Sequence, residues 1–325
     1  MRIALKIDVD TLQGTLHGVP SLAAACQRHG AQATFLFSLG PDHTGRAIKR
    51  VFRPGFLTKV SRTSVLEHYG LRTLLYGTLL PGPDIGRRCA AQLRGIADQG
   101  FEVGVHCWDH ASWQDDLAGS PPAFAERQMR RAVERFTEIF GRAPQVHGAA
   151  GWQMNDAALR CLDELGFRVA SNTRGGAPFR PRVDGRALRC VELPTTLPTL
   201  DELMGREDEP APAPSAFGGA EPGVATPGVA VPGTGPVGPD PVAYLLRQTA
   251  VPSGDHVYTL HAELEGRRLA PWFERLLAGW RSQGYEFVSL GELAAGLDPE
   301  TLPVRSSGLG TVPGRSGTLA VALQD

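Results

Sequence analysis

The 325-residue chain lacks any apolar run close to the roughly 18 to 20 residues that a spanning helix requires, so lipid contact is expected to be peripheral. Its opening residues, Met1 to Asp10, mix charge into the apolar positions and have neither the h-region nor the cleavage site of a secretory signal. Cysteine is scarce. The five residues (26, 89, 107, 161 and 190) are odd in number and show no Cys-x-x-Cys spacing, which excludes a disulfide framework and is expected of reduced, packed thiols in a cytoplasmic protein. Net charge is nearly absent, with 33 basic residues against 34 acidic ones, so nothing global points to a nucleic-acid partner.

A strand and helix rhythm is present. Apolar strands are expected at 3–9, 33–37, 101–105, 144–150, 166–171, 191–194, 256–260 and 285–288. Helices are expected at 20–29, 84–99, 121–140, 155–165, 241–250, 271–283 and 290–297, with Gly30, Gly100 and Gly141 placed as C-caps. Strand, helix, strand at short spacing predicts an α/β fold with a parallel sheet and right-handed crossovers. One barrel-like domain over residues 1–300 accounts for the length.

Three stretches depart from the rhythm. Within 43–84, seven basic residues from Arg46 to Arg72 stand against the single acid Glu67 and are interleaved with apolar residues. Arg46, Lys49, Arg50, Arg53 and Phe56 are the candidates for a surface facing anionic lipid or a phosphate-bearing substrate, the alternative being a solvated cover. Residues 207–240 are rich in Pro, Gly and Ala and are expected to be a disordered insertion, because such a segment buries too little apolar surface to offset its ordering entropy. The Gly/Ser-rich tail, 301–325, is expected to be flexible.

The chemistry gathers at strand ends. Asp8 and Asp10 are two apart at the end of the first strand and so face one side; one can bind a metal while the other takes a proton. Taken alone, Asp8-Val-Asp-Thr11 also reads as a turn and helix cap. A calcium loop fits poorly, with Leu12 and Gln13 where an acid or amide and a glycine are wanted. An Asp-x-Asp phosphatase nucleophile leaves the next feature without a purpose. That feature is His106 and His110, four apart after an apolar strand, which with a carboxylate form a 2-His-1-carboxylate face or, alone, serve packing. His261 also follows a strand, so a closed parallel sheet brings Asp8, Asp10, His106, His110 and His261 to one mouth.

These residues stand in ordered words: Ile7-Asp-Val-Asp-Thr11, Phe37-Ser-Leu-Gly-Pro-Asp42, His106-Cys-Trp-Asp-His110, Ala149-Ala-Gly-Trp152, Pro178-Phe-Arg-Pro181 and Tyr258-Thr-Leu-His-Ala-Glu263. Together they resemble the polysaccharide deacetylase (NodB-homology) family of metal-dependent amidases, over residues 1–206 and 240–297. The resemblance implies a distorted (β/α) barrel and one divalent metal ion held by Asp10, His106 and His110, with Asp8 as general base and His261 as general acid. Zn²⁺ is the default for that donor set, which also accepts Co²⁺, Mn²⁺ or Ni²⁺.

It further implies a lipid-linked amino-sugar substrate, undecaprenyl-phosphate-borne 4-deoxy-4-formamido-L-arabinose. Formate would be released on the inner face of the bacterial inner membrane, in lipid A modification and cationic-peptide resistance. Rival readings are a deacetylase of another N-acylated sugar or lipid-linked glycan, and a non-catalytic glycan- or lipid-binding member of the fold.

One departure concerns the base. Many family members carry an orienting Arg in a third motif, whereas Gly148-Ala-Ala-Gly-Trp152 has none; Arg174 or Arg180 could replace it or contact a sugar phosphate. Trp108, Trp113 and Trp152 are candidates for stacking on a sugar or for burial, and Glu263 for tuning His261 or binding substrate.

Overall fold

A computed structural model of the chain describes residues 1–46, 73–206, 238–250 and 254–323, the side chain of Leu74 excepted. Lys49, Arg50, Arg53, Phe56 and nearly all of the 207–240 insertion lie outside the described residues.

Ten strands precede residue 300: β1 (Arg2–Val9), β2 (Thr34–Ser38), β3 (Glu102–Cys107), β4 (Val146–His147), β5 (Val169–Ala170), β6 (Arg180–Val183), β7 (Arg186–Ala187), β8 (Val191–Glu192), β9 (His256–His261) and β10 (Glu286–Val288). Eight of them form one sheet in the order β10-β1-β2-β3-β4-β5-β8, with β9 also on β1, and every pairing within it is parallel. β9 runs beside β1 from Ile3 to Asp8, so β10 and β2 share the opposite edge of β1, at Arg2–Ala4 and Lys6–Val9 respectively. Beyond β8 the chain returns to β9: the Thr196 and Leu197 N–H groups donate to Val257 O, and the Thr195 and Thr259 hydroxyls meet at 2.7 Å. This contact draws the sheet into the distorted barrel expected from the sequence.

Strand β1 is buried on both sides, as parallel strands between a helical layer and an interior are. Its two-residue period sorts the side chains. Ile3, Leu5, Ile7 and Val9 join the large outer cluster under the helices, while Ala4 joins an inner cluster with Leu36, Val146, Val169, Val191 and Val257. Lys6 and Asp8 share the phase of Ala4 and therefore point into the barrel, both buried. This phase places a charged pair inside rather than on the surface.

The outer helices are Val19–Arg28, Ile85–Asp98, Pro122–Phe140, Asp156–Glu164, Pro241–Gln248 and Ala270–Ser282. Helix Pro122–Phe140 shows why the sequence folds this way: Pro stands in its first turn, Gly141 ends it in the left-handed region (φ 68°), and Ala125, Met129, Ala132, Phe136 and Ile139 form its buried stripe. Asp84, Asn155 and Asp240 each accept a backbone N–H at the start of their helices. All five cysteines are buried thiols. Among the described residues no helix is long and apolar enough to cross a membrane.

The tail differs from the flexible extension expected. β11 (Val304–Arg305) pairs with β6, and β12 (Ser307–Gly310) forms an antiparallel hairpin with β13 (Leu319–Ala322). Leu319 and Val321 pack with Val312 against Trp152, and β13 clasps Arg174 through Arg174 N–H to Ala320 O and Ala322 N–H to Arg174 O. The glycines and serines mask a short alternating apolar strand whose partner surface is remote in sequence.

Candidate metal centre

Because the strands are parallel, the C-terminal ends of β1, β3 and β9 open at one mouth. β1 delivers Asp8 and then Asp10; β3 delivers His106; β9 ends at His261, directly opposite Asp8 in register. His110 opens a helix absent from the sequence expectation, His110–Asp116, capped by the Asp109 carboxylate accepting Ser112 N–H. That cap turns the chain sharply enough to return His110 to the mouth.

Asp10, His106 and His110 converge. His106 Nε2 lies 3.2 Å from Asp10 Oδ1, His110 Nε2 lies 3.4 Å from Asp10 Oδ2, and the three donor atoms all fall within 4.8 Å of one another. Ligands at about 2.05 Å from a tetrahedral ion stand about 3.3 Å apart, close to these spacings. The other nitrogen of His106, Nδ1, is 2.6 Å from Gly148 O, which fixes the ring with Nε2 toward Asp10. Asp8 Oδ1 and Asp10 Oδ1 are buried and make no hydrogen bond among the described residues, as expected of oxygens facing a cation or a reacting water. Burial opposes the charge of Asp10, but His110, His106 and His261 outweigh it and hold that carboxyl well below the usual range. The donor set and its orphaned oxygens fit a divalent ion of the zinc type.

A cation stands beside Asp8, and it is Lys6. Its Nζ is 2.9 Å from Asp8 Oδ2, and the two side chains are 0% and 3% exposed. The sequence signal was available in the strand phase: a lysine two residues before an inward aspartate points inward too. Arg174 is instead enclosed in the wall, bonded to Glu202 Oε1 at 2.6 Å and Leu197 O at 3.1 Å. Arg180 belongs to the separate sheet β11-β6-β7 and bonds Leu188 O and Glu300. Gly148 is required by this arrangement, since a Cβ there would stand 2.3 Å from Leu36 Cδ1 and 2.8 Å from Lys6 Cε. Gly148→Ala is expected to destabilise the fold by about 1–3 kcal/mol in urea unfolding, because overpacking displaces the lysine stem.

His261 stands at the end of β9, among carboxylates. Its backbone N–H donates to Glu265 Oε2 at 2.9 Å, and its Nδ1 lies 4.0 Å from Asp201 Oδ1. Burial lowers its pKa, but Asp201, Asp10, Glu265 and Asp8 together raise it above the ordinary imidazole value. Burial pushes the Glu265 carboxyl up to about 7. Asp201 and Glu265, like Lys6, were not singled out from the sequence. Glu265 stands two residues beyond the word that ends at Glu263; Asp201 carries no local signal, being one acid in a four-residue helix, Leu200–Leu203.

The remaining candidates are each held by contacts within the protein. Glu263 Oε1 accepts the backbone N–H groups of Asp10 and Thr11 and the Thr11 hydroxyl, so it fixes the turn that aims Asp10. Burial and the neighbouring Asp10 charge push its carboxyl up to about 8. Trp152 is 1% exposed, with Lys6, Arg174 and Arg315 around its ring at 4.8, 5.2 and 4.5 Å, so no face is open to a sugar. Trp108 lies against Arg131 and Arg135, and Trp113 is buried with its Nε1 donating to Gln153 O.

The same architecture recurs in a crystal structure described as a "putative polysaccharide deacetylase from Mycobacterium smegmatis", with a TM-score of 0.57, 17% identity and 95% of each chain covered. The family model "Polysaccharide deacetylase" matches residues 13–170. A Shewanella sediminis protein named "Probable 4-deoxy-4-formamido-L-arabinose-phosphoundecaprenol deformylase ArnD" is 34% identical over 292 residues, covering 90% of this chain and 85% of its own. The chain belongs to the polysaccharide deacetylase family. The chain is also 27% identical over 308 residues to a Wigglesworthia glossinidia brevipalpis protein that bears the same name as the Shewanella one, covering 94% and 97% of the two chains. The family is metal-dependent, and Asp10, His106 and His110 give this member a group that could hold the ion.

Proposed function

We propose that the chain is a metal-dependent amide hydrolase that removes the formyl group of undecaprenyl-phosphate-linked 4-deoxy-4-formamido-L-arabinose as formate, within lipid A aminoarabinose modification. The observation that carries this reading is the convergence of Asp8, Asp10, His106, His110 and His261 at one barrel mouth, in a chain 34% identical to a relative named for that activity.

A divalent ion held by Asp10, His106 and His110, zinc by ligand type, supplies Lewis acidity toward the amide carbonyl and lowers the pKa of water. The chain's own residues do the rest. Lys6 fixes one oxygen of Asp8, leaving Oδ1 turned inward to accept a proton from the attacking water. His261, its protonated form favoured by the carboxylates around it, donates a proton to the departing amine nitrogen. An amine leaves an amide only when protonated, so base and acid must stand on opposite flanks of the carbonyl. The ends of β1 and β9 provide those flanks. Purified, metal-loaded protein is expected to release formate from the lipid-linked sugar; release of acetate from N-acetylated glycans instead assigns another sugar, and release of neither with no bound metal assigns a binding module.

Membrane contact belongs to the same proposal. Arg46, the one member of the basic cluster among the described residues, bonds Ser112 Oγ through its Nη1 in the helix that begins at His110. Reversing Arg46, Lys49, Arg50 and Arg53 to Glu is expected to weaken binding to anionic vesicles by at least tenfold without loss of metal, at about 1 kcal/mol for each basic residue near the surface. Unchanged partitioning in a sedimentation assay returns the insertion to a solvated cover.

A further inference from the structure

The tail reaches both supports of His261. One support is Trp152, whose ring meets the His261 ring edge to face with centroids 6.4 Å apart. Trp152 Nε1 also donates to Thr195 Oγ1, which meets Thr259 Oγ1 on the strand that carries His261. The other support is helix Leu200–Leu203, which carries Asp201 opposite His261 Nδ1. Arg315, in the loop between β12 and β13, touches both: its guanidinium carbon lies 4.5 Å from the Trp152 ring, and its Nη1 lies 3.4 Å from Glu202 Oε1, beside Asp201.

The approach is a built one. Gly314 has φ 82°, and a Cβ there would stand 2.0 Å from Glu202 O, so only glycine lets the loop come this close to the helix. Val312, Leu319 and Val321 seal the Trp152 ring, and Gln153 Nε2 bonds Thr318 O. Trp152 itself is held in the left-handed region at φ 53°, a conformation that persists in a bulky residue only where its surroundings over-determine it.

We propose that Arg315 is a positioning residue for the proton-donating His261: one tail side chain clamps both the indole and the Asp201 helix against that imidazole. The inference rests on the amide-hydrolase reading above. Arg315 is not placed in contact with substrate, so its loss is expected to act on kcat and leave KM alone.

The test compares wild type, Arg315→Ala and Arg315→Lys in the full metal-loaded chain, with formate release from the lipid-linked sugar. Arg315→Ala is expected to lower kcat about tenfold, equivalent to about 1.4 kcal/mol, with KM changed less than twofold and metal content unaltered. Arg315→Lys, which keeps a cation over the indole, recovers most of the rate. Independently of activity, labelling of His261 by diethyl pyrocarbonate, read by mass spectrometry against the exposed His17, is expected to rise severalfold in Arg315→Ala. An unchanged kcat and unchanged labelling in a folded Ala variant overturns the proposal, as does a rise in KM at constant kcat. If Arg315→Ala does not fold, Arg315→Gln, which keeps the aliphatic stem and an amide donor but lacks the charge and the reach of the guanidinium, decides by the same two readouts. Absence of formate release by wild type sinks the functional reading instead, and the labelling comparison still judges Arg315.

Discussion

Lys6→Met is expected to lower kcat by about 10²–10³-fold and to cost about 3–5 kcal/mol of folding stability, with metal content close to one per chain. Both effects follow from one geometry. Lys6 and Asp8 are buried together with Nζ 2.9 Å from Oδ2, so removing the lysine leaves that buried carboxylate oxygen without its countercharge. The same removal frees Asp8 to leave the position in which Oδ1 faces the reacting water, and a misplacement of about 1 Å costs about 10²-fold. Methionine conserves volume, so a packing role alone predicts a much smaller change. Lys6→Arg keeps a charge and is expected to retain more activity than Lys6→Met. If Lys6→Met stays within threefold of wild type in kcat, with urea unfolding unchanged, Lys6 is a core filler and Asp8 is oriented by something else.

His110→Ala is expected to abolish stoichiometric metal binding and to lower formate release by more than about 10³-fold, since the Lewis-acid contribution of the ion is several kcal/mol and each tenfold is about 1.4 kcal/mol. His110 contributes one of only two imidazoles in the group, and the remaining pair, Asp10 and His106, leaves the ion with two protein ligands. The paired control is His261→Ala. His261 is not among the three side chains that gather as a ligand group, so that variant is expected to keep its metal while losing about 10²–10⁴-fold in kcat. Metal analysis beside kinetics separates the two histidine roles; loss of metal in both variants makes His261 a ligand, and retention in both removes His110 from the centre.

The barrel and its mouth were legible because their signals are local. Each of Asp10, His106 and His261 follows an apolar strand by a fixed offset, and the parallel order then fixes where they meet. Lys6 sits two residues from the most informative motif, yet its charge read as an interruption of the strand until the inward phase of β1 was considered with that of Asp8. Arg174 illustrates the opposite error. The missing Arg of the third motif suggested it for a base or phosphate contact, but the acid that pairs with it, Glu202, is 28 residues away and no periodicity reveals it. The tail was misread for the same reason: Leu319 and Val321 gain a buried face only because Trp152 lies across from them, a contact between segments more than 160 residues apart. Local chemistry reads from sequence, whereas the supports of that chemistry are long-range.

The central claim, that Asp10, His106 and His110 form a metal centre, is tested most directly by anomalous diffraction at the zinc edge from crystals of the zinc-loaded protein. A single strong peak is expected about 2.0–2.2 Å from Asp10 Oδ, His106 Nε2 and His110 Nε2. A peak at other side chains, or none at these three in protein carrying one zinc per chain, contradicts it.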